Sequence, residues 1–187
     1  MLKSVKIDVF LVIFDQFSTV FEQKSVKIRG LKSFSPYEVL RKPPKSNRIM
    51  AGYSGTPLAK KLGIKPGFKI KLINAPDHYI DLFTDLPSEL YFDDTPGPEK
   101  DFIHFFTLNK DELLIRLPLL KEQIKPNGMI WVSWPKKASK VITDVTEDLV
   151  RGTALKSGLV DIKICAVDET WSGLKLVIPV KDRKPSV

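Results

Sequence analysis

DFIHFFTLNKDELLIRLPLLKEQIKPNGMIWVSWP, residues 101–135, is the stretch whose reading decides the fold. Its first eight residues read as a strand whose centre, Phe102 to Phe106, is apolar on both faces except for His104, the pattern of a strand in the middle of a helix-covered sheet. Asn109 then stands where a helix N-cap is expected, and Leu113, Leu114, Leu117 and Leu120 follow at helical spacing as far as Gln123. Lys125-Pro126-Asn127-Gly128 reads as the stop, and Pro118 inside the helix predicts a kink or a break into two pieces. Met129 to Trp134 is a second buried strand. A strand, a long helix and a strand make a crossover unit, whose two strands run parallel.

Working outward, the same grammar repeats. Upstream, Thr56 as N-cap and Pro57 at the first helical position predict a short helix to Leu62, stopped by Gly63. FKIKLIN (68–74) reads as a strand, Asp77 to Leu82 as a helix, ELYFD (89–93) as a strand, and DTPGPEK as a loop. Downstream, Asp144 with Glu147 three residues later predicts a capping-box start for a helix to about Lys156, closed by Gly158. LVDIKICAVD and GLKLVIPV, joined by DETWSG, predict an antiparallel hairpin. The expected fold is therefore α/β, an abbreviated Rossmann-like, mostly parallel sheet with helices on both faces and an antiparallel C-terminal hairpin. Ligands of such sheets bind at the rim formed by the carboxyl ends of the parallel strands.

The chain has 187 residues, enough for one well-buried domain, which is assigned to residues 50–180 with a tail over 181–187. Residues 1–49 read differently: KSVKI occurs at 3–7 and again at 24–28, and RKPPKSNRI ends the segment with an extended Pro-Pro pair. This leader is expected to be either an extension without its own fold, with the natural start at Met50, or a small hairpin, since Val5, Ile7, Val9, Leu11 and Ile13 alternate. It holds ten Lys/Arg against four Asp/Glu, so +6 of the formal +8 lies there and only +2 on the body. That distribution argues against a generic polyanion-binding domain and leaves nucleic acid as a partner only through the leader. No apolar run approaches a membrane span, and the single cysteine, Cys165, fits a reducing, cytoplasmic compartment. His78 and His104 are too far apart in sequence to suggest a metal site, so no metal is expected.

From Met50 to about Val180 the chain resembles a bacterial family known as domain of unknown function 3052, through AGYSGTPLAKKLGIKPG, WVSWPKKAS, TDVTEDLVR and VDIKICAVDETWSGLKLV. More loosely, the order of elements is similar to that of class I S-adenosylmethionine-dependent methyltransferases. In that comparison 101–135 matches the fourth strand, its helix and the fifth strand, and the terminal hairpin matches the sixth and seventh. A hairpin placed in that way is expected to carry its tip away from the rim. The resemblance implies adenosyl-cofactor binding at a glycine-rich turn after the first strand, but LINAPDHY has no glycine there, and Asn74-Ala75-Pro76 takes positive φ less cheaply. S-adenosylmethionine is accordingly not the expected cofactor, although Asp93 or Asp94 could mimic the acid that holds a ribose hydroxyl.

Three places carry candidate site residues. The first is the elbow after the central strand, where Trp134 would stack on a ring and Lys136, Lys137 and Ser139 would hold a phosphate or carboxylate, with Asn74 contributing from the neighbouring strand end. The second is DETWSG, where the adjacent acids Asp168 and Glu169 could perturb each other as an acid/base pair; the competing reading is a turn with Trp171 covering the core. The third is Tyr53 and Ser54, between Gly52 and Gly55, a loop feeding a helix start. Cys165 reads as an inert buried thiol, His104 as a satisfied core histidine and His78 as a solvated residue at a helix start. The sum favours a non-catalytic binding module for an anionic small molecule or a protein partner. The alternatives are a degenerate methyltransferase or other transferase, and a nucleic-acid accessory using the leader.

Overall fold

In a computed structural model the protein is described over residues 55–183. The leader, Tyr53 and Ser54 lie outside the described residues. Six strands form one sheet in the order β2-β1-β3-β4-β6-β5, built from β1 (Lys69–Ile73), β2 (Tyr91–Phe92), β3 (Lys100–Phe106), β4 (Ile124–Pro135), β5 (Val160–Ala166) and β6 (Trp171–Val177). β2, β1, β3 and β4 pair in parallel, and β6 runs antiparallel to both β4 and β5. The fold is thus the mostly parallel, Rossmann-like sheet expected, with β6 as its reversed strand. Since β6 opposes both neighbours, β5 runs in the same direction as β4.

The central strands are apolar on both sides because both faces are covered. Ile103, Phe105, Ile130, Val132 and Trp134 point into one core with Leu113, Leu117 and Leu120 of helix α2 (Lys110–Lys121) and Val150 and Ala154 of helix α3 (Glu147–Lys156). On the opposite face lies helix α1 (Leu58–Leu62), pinned where the Trp131 indole Nε1–H donates to the Leu62 carbonyl at 2.9 Å. Fully burying a Val, Leu, Ile, Phe or Met side chain contributes about 1.5–3 kcal/mol, and β3 and β4 bury apolar side chains at Phe102, Ile103, Phe105, Phe106, Met129, Ile130, Trp131, Val132 and Trp134.

Local expectations fail where distant residues provide the partner. α1 is capped from outside its own segment: Asp85 accepts from Ala59 N–H at 3.1 Å and Lys60 N–H at 3.2 Å, while Pro57, not Thr56, occupies the N-cap position. Asn109 caps α2 as expected, accepting from Asp111 and Glu112 N–H. Asp144, expected to start α3, instead accepts from Lys110 N–H at the start of α2 at 2.6 Å, and Thr146 is the cap of α3. α2 continues through Pro118 without the expected break into two. β4 begins at Ile124, so the predicted helix stop 125–128 lies inside a strand, next to a register shift against β3. The helix expected over Asp77–Leu82 is a single 3-10 turn, Ile80–Leu82. β2 has only two residues.

Candidate functional site

β1, β3 and β4 end at Ile73, Phe106 and Pro135, so their following residues line one rim of the sheet. β1 and β3 are neighbours, and the chain leaving β1 crosses to β2 on one side while the chain leaving β3 crosses to β4 on the other. The crevice between the ends of β1 and β3 is therefore the topological switch point where such sheets bind ligands.

Asn74 turns the chain at the end of β1 with φ +53°. The sequence expectation that a glycine-free corner would avoid positive φ is corrected here: asparagine is the residue after glycine that most readily enters this region. Its side chain is then fixed across the crevice. Nδ2–H donates to the Phe106 carbonyl at 3.1 Å and to Glu112 at 2.9 Å, and Glu112 also accepts from the Thr107 hydroxyl at 2.7 Å and pairs with Arg116 at 3.1 Å. A protein amide thus spans the gap between β1 and β3.

Beyond Asn74 the loop is anchored by Tyr79. Its ring packs edge-on against Phe83 and Phe106, and its hydroxyl meets His104 Nδ1 at 2.7 Å. His104 Nε2 meets the Ser133 hydroxyl at 2.8 Å, so both ring nitrogens are satisfied within the sheet, as read from the sequence. Burial pushes the His104 pKa down to about 3, and it pushes the Tyr79 hydroxyl up. With Tyr79 fixed, the neighbouring His78 is held at the rim.

The β5–β6 turn also lies on this rim, contrary to the expectation that its tip points away. The reason is directional: β5 runs with β4, so it ends at the same edge, and β6 returns from there with Trp171 opposite Pro135. Asp168 in this turn is 7 % exposed. Its Oδ1 accepts from Thr170 N–H at 2.8 Å and Trp171 N–H at 2.6 Å, and its Oδ2 meets His78 Nε2 at 3.0 Å. The His78 side chain is 54 % exposed against 6 % for that of Asp168. Glu169 points into solvent, so the two adjacent acids share no environment and the partner of Asp168 is a histidine 90 residues earlier. Trp171 is half-buried beside the pair, edge-on to Phe106 at 5.1 Å.

The elbow after β4 is differently employed from what its composition suggests. Trp134 is 6 % exposed and packs in the core with Val132 and Val145, leaving no indole face for a stacked ring. Lys136 Nζ donates to the Asp168 carbonyl at 2.5 Å and Lys136 N–H to the Thr170 carbonyl at 2.8 Å, tying the elbow to the hairpin. Ser139 donates to the Lys136 carbonyl at 2.7 Å, closing the 3-10 turn Lys137–Ser139. Lys137 is exposed. Cys165 is half-buried, and burial raises its thiol pKa, which keeps it a poor nucleophile.

The groups at this corner that could face an adenosyl cofactor are engaged within the protein: the Asn74 amide bridges the crevice, and a short 3-10 turn follows β1. The acid after β2, Asp93, is fully engaged. It accepts from the Thr95 hydroxyl at 2.6 Å, the Thr95 N–H at 2.9 Å and Lys100 Nζ at 2.9 Å, and these donors, the Thr95 hydroxyl foremost, hold its carboxyl well below the usual range. Asp94 contributes its backbone carbonyl to Lys71 Nζ.

No family model and no curated protein sequence matches the chain, so the resemblance to the domain of unknown function 3052 gains no support. Among solved structures the chain is similar to methyltransferases. A putative type 11 methyltransferase from Sulfolobus solfataricus is 18% identical at a TM-score of 0.46, covering 69% of this chain and 90% of that one. The magnesium protoporphyrin IX methyltransferase of Synechocystis PCC 6803 with bound SAH is 10% identical at 0.46, covering 65% and 80%. A ribosomal protein L11 methylase from Lactobacillus delbrueckii subsp. bulgaricus is 9% identical at 0.41, covering 65% and 74%. At this level the fold assignment rests on the strand order and register themselves. Among the described residues no helix is long and apolar enough to cross a membrane.

Proposed function

We propose that the chain binds a small polar ligand at the rim between the 74–79 loop and the β5–β6 turn, and that His78 acts there as an acid–base group oriented by Asp168. One observation carries this reading: an exposed imidazole within hydrogen-bonding distance of a buried carboxylate that is itself locked by two backbone N–H groups. Asp168 accepting from Nε2–H fixes the tautomer and leaves Nδ1 as the basic nitrogen. That nitrogen takes a proton from an O–H or N–H of the ligand, and the carboxylate stabilises the imidazolium that results. Trp171 supplies the aromatic surface beside it, and Lys137 is the exposed cation of the elbow available to an anionic substituent.

On this reading the domain carries an acid–base site rather than a passive binding surface, with His78–Asp168 in place of the Asp168–Glu169 pair. Methyl transfer from S-adenosylmethionine is the specific alternative, and the engaged Asn74 and Asp93 argue against it.

The experiment has two arms on the full chain. Calorimetry with S-adenosylmethionine and S-adenosylhomocysteine up to millimolar concentration is expected to give no binding heat. A thermal-shift screen of small metabolites is expected to give a hit whose stabilisation disappears in both His78→Asn and Asp168→Asn. A hit unaffected by either variant overturns the reading, and so does S-adenosylmethionine bound against Ala75.

A further inference from the structure

The face of the sheet beneath α1 carries a second feature, unrelated to the rim pair. Lys163 of β5 and Lys175 of β6 are direct register partners on antiparallel strands. Like charges directly opposite each other destabilise a strand pair, so such a pair calls for a compensating anion. Here none is supplied: among the described residues no carboxylate forms an ion pair with Lys163, Lys175 or Lys65. Asp161, the nearest acid along β5, pairs with Arg151 of α3, on the opposite face of the sheet.

More positive charge converges on the same place. Lys175 is the register partner of Trp131, whose indole reaches α1, so Lys175 lies on the α1 face. A Cβ built on Gly63, the residue ending α1, would stand 3.5 Å from Lys175 Nζ. Lys163 Nζ donates to the Lys61 carbonyl at 2.9 Å, and Lys65, four residues on, is close enough for its charge to act on Lys175. Burial foremost, and the charges of Lys163 and Lys65 after it, lower the Lys175 pKa, which places both ammoniums within electrostatic reach of Lys175. The carbonyl end of α1 attracts cations, but α1 has five residues and its Lys61 carbonyl already serves Lys163, so it does not account for Lys65 and Lys175.

We propose that Lys65, Lys163 and Lys175 form a binding site for a compact phosphate-bearing ligand, a phosphomonoester or diphosphate group. Lysine ammoniums are point-charge phosphate binders, each with three donors to place on phosphate oxygens. The arrangement suits a single compact anion, because Lys163 and Lys175 stand directly opposite each other and Lys65 acts on the same ammonium. The ligand relieves the repulsion that the fold otherwise carries between β5 and β6.

Calorimetry of the full chain at low salt tests this with inorganic pyrophosphate, inorganic phosphate and a single-stranded oligonucleotide as probes. Pyrophosphate is expected to bind more tightly than phosphate, and losing one charge-assisted contact in Lys163→Gln or Lys175→Met is expected to weaken it roughly tenfold. Lys163 is exposed, so Lys163→Gln keeps the fold and decides the matter even if Lys175→Met is unstable. Pyrophosphate binding that is undetectable, or unchanged in Lys163→Gln, overturns the proposal. An oligonucleotide that binds more tightly than pyrophosphate, with a steep salt dependence, overturns it in favour of a backbone-tracking surface.

Discussion

The buried His104 makes the stability of this domain fall in mild acid, by an amount that can be worked out. In the fold its pKa is lowered from 6.5 to about 3 by burial, while the unfolded imidazole titrates at its ordinary value. Between those values the unfolded state binds a proton that the folded state refuses, so unfolding gains from every unit of acidification. The sign follows: the contribution is present in full above about pH 6.5 and is lost as pH falls towards 3. For one such group, lowering the pH from 7 to 5 costs about 1.9 kcal/mol, rising to about 4 kcal/mol at pH 3. With a urea slope of about 2 kcal/mol per molar, the pH 5 loss moves the midpoint down by about 1 M.

The assay is urea unfolding followed by tryptophan fluorescence at a series of pH values for the wild type and for His104→Gln. Glutamine keeps polar contact with Tyr79 and Ser133 but does not titrate, and every other ionisable group cancels in the comparison. The variant is expected to be less stable at pH 7, with a gap that narrows by about 1.9 kcal/mol at pH 5. Parallel curves for the two proteins would refute the reasoning, since they require His104 to titrate alike in folded and unfolded chains.

The remaining predictions concern packing and pairing. Asp93→Ala strands the Lys100 ammonium, whose side chain is 1% exposed, and should destabilise by about 3 kcal/mol in chemical denaturation. Adding Lys100→Met should recover most of that loss; a double variant as unstable as the single one contradicts the pairing. Gly128→Ala places a Cβ 2.7 Å from the Lys100 backbone oxygen and should cost at least about 1–3 kcal/mol, measured as a lowered melting temperature. Asn74→Ala should cost about 2 kcal/mol, combining left-handed strain with lost hydrogen bonds, whereas Asn74→Gly should cost clearly less because only the hydrogen bonds go. Equal losses in the two variants would show that the φ of +53° carries no strain.

The parts of this molecule that were legible in the sequence are those written in local periodicity. The two-sided apolar runs of β3 and β4, the Asn109 cap and the leucine spacing of α2 are each set by neighbours within a few residues, and together they fix a parallel sheet. What stayed hidden depends on partners far along the chain. Asp85 looks like an ordinary loop acid and Asp144 like the start of the helix after it, yet each caps a helix that it does not precede. Trp134 looked like a stacking surface only because composition does not reveal which side of a strand is covered. The His78–Asp168 pair spans 90 positions, and the only signal that could have found it was strand direction: once β5 is taken as parallel to β4, the turn after β5 must reach the rim that also receives the loop after β1. Topology, rather than motif, brings the two together, and the same logic sets Lys163 opposite Lys175, a repulsion invisible in a sequence until the register of the hairpin is known. In a sheet of this kind the functional groups are therefore found by asking which strand ends and which register partners coincide, and only afterwards by asking what residues stand there.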